Sequence, residues 1–122
     1  MGDVVKVIIP TKAEHLLVVR LATSGVCSRM GMGIEQMEDA KAATAEACLI
    51  MINDKLSYEN LEVSFEYGDS LWVTVKGLGE GGCPQIHDID TDFSLALLEA
   101  LTDEMALEQG MVKFKFIGGA AR

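Results

Sequence analysis

Glu46 stands midway along a largely apolar stretch, Ala42 to Ile52, and shares a helical stripe at i, i+4, i+7 with Ile50 and Asn53. A carboxylate there is costly to bury unless it is paired or performs work. The work it suits is general-base catalysis, taking a proton from a hydroxyl or a water. A solvated surface glutamate satisfies the same spacing, so the stripe alone leaves both readings open. A second candidate is the run Val75-Lys76-Gly77-Leu78-Gly79-Glu80-Gly81-Gly82, whose backbone N–H groups could cradle a phosphate after a strand. It lacks the Gly-Lys-Ser/Thr of a P-loop and opens no helix at once, so neither nucleotide fingerprint is met. A loop that needs positive φ explains the glycines as well.

Other reactive residues point to no chemistry. His15 and His87 have no partners at metal-ligand spacing, and Asp88, Asp90 and Asp92 lack the glycine and closing glutamate of a calcium loop. No metal site is expected. Cys27, Cys48 and Cys83 are an odd number with no CxxC spacing, which indicates reduced thiols in a reducing compartment. The seven methionines read as core filler.

The 122 residues include 19 acidic and 10 basic side chains, a net charge of −9. That surplus of carboxylates argues against binding nucleic acid or an anionic membrane, both of which need a basic face. With 49% hydrophobic and 24% charged residues the balance is globular, and the absence of repeats or a Pro/Ser linker indicates one domain over residues 1–122. No apolar run approaches the roughly 20 residues that span a bilayer, and the first residues do not read as a signal peptide. A cytoplasmic protein is expected.

These residues need elements to position them. Val4 to Ile9 alternate as a strand ended by Pro10. Thr11-Lys12-Ala13-Glu14 has the form of a capping box opening a helix to about Met30, where Gly31 and Gly33 break it. An amphipathic helix follows from Ile34 to about Asn53, with Ile34, Met37, Ala40, Thr44, Ala47, Cys48 and Met51 on its apolar side. Leu61 to Tyr67 and Leu71 to Val75 alternate on either side of Gly68-Asp69 and form a hairpin. Gly77 to Thr91 reads as a long loop. Phe93, Leu97, Leu101 and Met105 make a third helix capped by Asp92 and ended at Gln109-Gly110, before the strand Val112 to Phe116. The order β-α-α-β-β-α-β predicts an α/β (α+β) two-layer sandwich. Its mostly antiparallel sheet has three helices on one face, and the other face, with Trp72, Thr74, Lys76, Lys113 and Lys115, is partly solvated.

Several of these runs resemble a known family. Pro10-Thr11-Lys12-Ala13-Glu14, Val18-Val19-Arg20-Leu21, Ser24-Gly25-Val26, Met30-Gly31, Ile34-Glu35-Gln36-Met37-Glu38-Asp39-Ala40-Lys41 and Ala45-Glu46-Ala47-Cys48 look like the bacterial anti-sigma-factor serine kinases of the RsbW and SpoIIAB type. These are GHKL-class ATPases with a Bergerat-like fold. Leu97 to Glu104 and the closing strand are similar to the same family near its C-terminus.

The departures fall on the nucleotide motifs. The family's helix reads Glu-Ala-x-x-Asn-Ala, its glutamate a base and its asparagine a holder of magnesium. Here Glu46 and Ala47 match, Ile50 takes the asparagine position, and Asp54 replaces a histidine. An aliphatic side chain offers no oxygen to a hard cation, leaving Asn53, one turn on, as the substitute. In Val-x-Asp-x-Gly-x-Gly the adenine-contacting aspartate becomes Gly77, while Gly79 and Gly81 are kept. The Gly-x-Gly ahead of the last helix becomes Asp92-Phe93-Ser94, which sets side chains and a negative charge where backbone meets phosphate. Asp88, Asp90, Asp92 and Glu80 make that loop acidic.

The resemblance therefore implies an anti-sigma-like regulator of a partner-switching module that binds a sigma factor or a STAS-type anti-anti-sigma protein. Arg20 stands at the family's partner-contacting position on the first helix, and a homodimer is expected near that helix and the sheet edge. Kinase function and the ATP cofactor are expected to be lost, making the chain a pseudokinase. The alternatives are a divergent serine kinase using ATP and magnesium, with Glu46 as base, and a sensor of some other small ligand in the vacated pocket.

Overall fold

A computed structural model describes residues 2–53, 58–79, 89–108 and 110–117. Strand β1 (Asp3–Pro10) leads through a 3-10 turn (Ala13–His15) into helix α1 (Leu16–Met30), followed by α2 (Ile34–Ile52). The hairpin β2 (Asn60–Tyr67) and β3 (Leu71–Leu78), helix α3 (Ile89–Leu101), and strands β4 (Glu104–Glu108) and β5 (Met111–Phe116) complete the described chain. The expected order β-α-α-β-β-α-β holds, with β4 as an addition.

The described strands form one antiparallel sheet in the order β1-β2-β3-β5-β4. Period-two alternation sets its faces. Phe65, Val73 and Phe114 lie in one cross-strand row and Val63, Val75 and Val112 in the next, all fully buried. They share one core with Val19 and Cys27 of α1, Ala47 and Met51 of α2, and Leu98 of α3. The helices thus cover one face. On the other, Trp72 receives the ammonium groups of Lys113 and Lys115 at 4.7 and 5.2 Å from its ring centre, as cation–π contacts do. No helix among the described residues is long and apolar enough to cross a membrane.

Local chemistry explains where the elements stop. Gly31 adopts the left-handed conformation (φ 76) after α1, and its N–H and that of Met32 bond back to Ser28 and Cys27 carbonyls at 3.1 Å each, a glycine-ended C-cap of the Schellman kind. The capping box expected at Thr11 is not made. Lys12 stands at the cap without a side-chain bond, and the buried Thr11 hydroxyl finds no hydrogen-bond partner among the described residues. The reason is that Thr11 is still held by the sheet layer, its N–H donating to Glu59 O at 3.3 Å.

The third helix also ends earlier than its apolar spacing predicts. It stops at Leu101, where the Thr102 hydroxyl bonds back to Leu98 O at 2.7 Å and Asp103 N–H is captured by Lys115 O at 2.9 Å. Met105 is therefore a strand residue, paired with Phe114 across the sheet. Glu104 to Glu108 fits period two as well as a helical turn, and pairing with β5 through the Gly110 turn (φ 69) decides between them.

Candidate functional site

Helix α2 buries Ala43, Thr44, Ala47 and Cys48, small side chains that let it pack closely against α1 and β3, together with the larger Ile50 and Met51. Glu46 sits half-buried beside them, at the junction with α3. One of its oxygens is bonded within the fold: Ser94 Oγ of α3 donates to Glu46 Oε1 at 2.9 Å. This pair joins two positions that the sequence placed in separate motifs.

The rest of the Glu46 stripe is not one functional surface. Ile50 is 3% exposed and belongs to the core, so its side chain is a packing group. Asn53 is exposed as the C-cap of α2, its N–H bonded to Leu49 O at 2.9 Å. The stripe runs from a helix contact, through the interior, out to solvent.

The two described glycines of the run, Gly77 and Gly79, are likewise built into the fold. Gly77 is a residue of β3 paired with Leu61, not the start of the expected loop. Tyr58 and Glu59, just ahead of β2, lie against the end of β3, with Glu59 N–H donating to Leu78 O at 2.9 Å. A Cβ on Gly77 would overlap Cγ, Cδ1 and Cδ2 of the Tyr58 ring. A Cβ on Gly79, whose φ is +94, would lie 2.7 Å from Glu59 Oε1. Gly77 is thus required by the ring laid on it, and Gly79 by its left-handed φ. Sequence reasoning passed over Tyr58 and Glu59. The available signal was Gly77 itself, a glycine continuing the inward series Leu71, Val73, Val75, since glycine in a strand marks a close approach.

Asp92 lies in the first turn of α3, which begins at Ile89, rather than at its cap. Phe93 is 67% exposed. Gly81 falls outside the described residues, as do Asp54, Glu80, Cys83, His87 and Asp88. Arg20 is exposed on α1 among Leu17, Val18 and Leu21, which are 65%, 48% and 64% exposed. Cys27 and Cys48 are buried free thiols. Burial pushes Cys48 up to about 12 and Cys27 up to about 11, the latter against a smaller opposing pull from Lys41, so neither is a nucleophile at neutral pH. Two concavities lie away from these residues. One, of about 310 Å³, is at the β2–β3 turn; the other, of about 400 Å³, is on the open sheet face around Trp72, Thr74, Lys76 and Lys113.

No protein-family model matches the chain. Individual relatives do. The chain is 33% identical to the serine-protein kinase RsbW of Bacillus velezensis over 125 residues, covering 87% of this chain and 78% of that protein. It is 30% identical to the serine-protein kinase RsbW of Bacillus subtilis, covering 88% and 79%. In structure it is similar to the RsbU and RsbW domains of Rv1364c from Mycobacterium tuberculosis, with a TM-score of 0.69 at 13% identity. That match covers 95% of this chain and 31% of the longer one, and it shows the shared fold. On sequence similarity over most of both lengths, the chain belongs to the RsbW serine-protein kinase family.

Proposed function

We propose that this chain is a protein-binding regulator of the anti-sigma type that works without nucleotide chemistry. The observation that carries the reading is the Ser94–Glu46 hydrogen bond of 2.9 Å. The residue at the family's base position already accepts a hydroxyl from a helix that, in the family motif, offers glycine and exposed backbone. A base acts on a proton only within hydrogen-bond reach of it, and an incoming serine hydroxyl would meet a carboxylate one of whose two oxygens is already engaged by Ser94. Buried Ile50 supplies no oxygen for magnesium, and phosphoryl transfer depends on that ion and on positioning.

Its partners are then a sigma factor, a STAS-type anti-anti-sigma protein, or both. The exposed face of α1, with Leu17, Val18 and Leu21 around Arg20, supports this reading. These are large apolar side chains turned to solvent beside a cation that can pair with a carboxylate. A homodimer is proposed close by, where β1 forms one edge of the sheet and leaves Val4 and Ile8 54% and 60% exposed.

Titration calorimetry with magnesium ATP tests the loss of nucleotide function, and no heat at millimolar ATP is expected. Saturable binding that Glu46→Ala abolishes would instead establish the second reading, a divergent serine kinase. That reading is favoured by the retention of Glu46 and by the solvent-facing Asn53 one turn beyond Ile50.

A further inference from the structure

We propose that Tyr58 closes the base pocket of this chain, its ring occupying the slot over Gly77 that a planar ligand ring would need. The inference rests on the proposed loss of nucleotide function and on the family resemblance, which sets Gly77 at the adenine-contact position. It adds the residue that fills the space and the reason glycine is required there.

Ring and glycine fit as a unit. Because any Cβ at position 77 would overlap Cγ, Cδ1 and Cδ2 of Tyr58, an aspartate cannot return there while the ring is in place. The far end of the ring meets a second glycine, the Tyr58 hydroxyl lying 3.5 Å from where a Cβ on Gly110 would be. Beneath it, Gly77 N–H donates to Gly110 O at 3.0 Å. The segment is stitched down on both sides, by Glu59 N–H to Leu78 O at 2.9 Å and by Thr11 N–H to Glu59 O at 3.3 Å. Tyr58 is 6% exposed and continuous with the core, so the ring is part of the fold and not a surface flap. Removing it would leave a ring-sized void. Packed interiors collapse only partly around such a void, and apolar voids of this kind accept planar aromatic guests.

The test uses the full chain, with Tyr58→Ala and Gly77→Ala made singly and together, and thermal unfolding followed with and without millimolar adenosine. Adenosine carries no phosphate and needs no magnesium, so it probes the base slot alone. Gly77→Ala is expected to lower the melting temperature strongly in the parent and far less in the Tyr58→Ala background. Adenosine is expected to raise the melting temperature of Tyr58→Ala and leave the parent unmoved. An equal loss from Gly77→Ala in both backgrounds, or no adenosine response in Tyr58→Ala, overturns the proposal. If Tyr58→Ala does not fold, the parent supplies the decisive readout. Its Gly77 α-proton resonances should be displaced upfield by the ring, and undisplaced resonances overturn the proposal. Magnesium ATP binding to the parent overturns the loss of nucleotide function, whereas missing coupling between positions 58 and 77 overturns only the plug.

Discussion

Ser94 Oγ donates to Glu46 Oε1 at 2.9 Å, fastening α3 to α2 through the carboxylate that the family resemblance marks as a base. The same bond has a structural and a functional side. It gives a half-buried carboxylate a donor, where burial without a partner would lower stability, and it engages one of the two oxygens that a substrate hydroxyl could use.

Ser94→Ala should therefore cost about 1.5 kcal/mol of stability, the low end for a hydrogen bond to a charged group because the pair is only partly buried. Urea unfolding measures it. Unchanged stability would mean that the bond contributes nothing in solution.

Gly31→Ala should cost about 1 kcal/mol, because alanine must adopt the left-handed φ of 76 that ends α1. The melting temperature is the readout, with a drop of about 4 °C expected for a domain of this size.

How much of this was legible in the sequence depends on whether a signal was local. The Leu61–Tyr67 and Leu71–Val75 alternation specified the β2–β3 hairpin because strand period and turn residues agree there. The 104–108 segment did not declare itself, since its apolar residues fit a helix and a strand equally and only pairing with β5 selects one. Thr11 failed as a cap because a long-range bond to Glu59 holds its backbone. At the candidate site, Glu46 was visible as an isolated carboxylate on an apolar helix. Its partner Ser94 lies 48 residues away, and the Tyr58 ring on Gly77 is equally non-local, so no spacing rule reveals either.

The buried thiols predict an alkaline limit to stability. Their ordinary value is 9.0, and the fold raises Cys27 to about 11 and Cys48 to about 12. Above pH 9 the unfolded chain has released these protons while the folded chain keeps them, so the unfolded state binds fewer protons. Their contribution is whole below pH 9 and lost as pH rises through the folded values. Unfolding midpoints taken across that range should fall, and Cys48→Ala should flatten the fall. A midpoint independent of pH there would contradict the assignment.

On α1, Arg20→Ala and Leu21→Glu should each weaken partner binding at least tenfold, about 1.4 kcal/mol or more. The unfolding midpoint should change little, because both side chains are exposed. Surface plasmon resonance against the partner, paired with thermal unfolding, separates loss of contact from loss of fold. Full binding by both variants would move the interface away from this face.

The central claim is that this chain recognises proteins without nucleotide. The most direct test measures its affinity for a sigma factor or STAS-type partner with and without magnesium ATP, and assays that partner for phosphoserine. The same dissociation constant in both conditions and an unmodified partner are predicted. ATP-dependent binding, or phosphoserine that disappears with Glu46→Ala, would contradict the account.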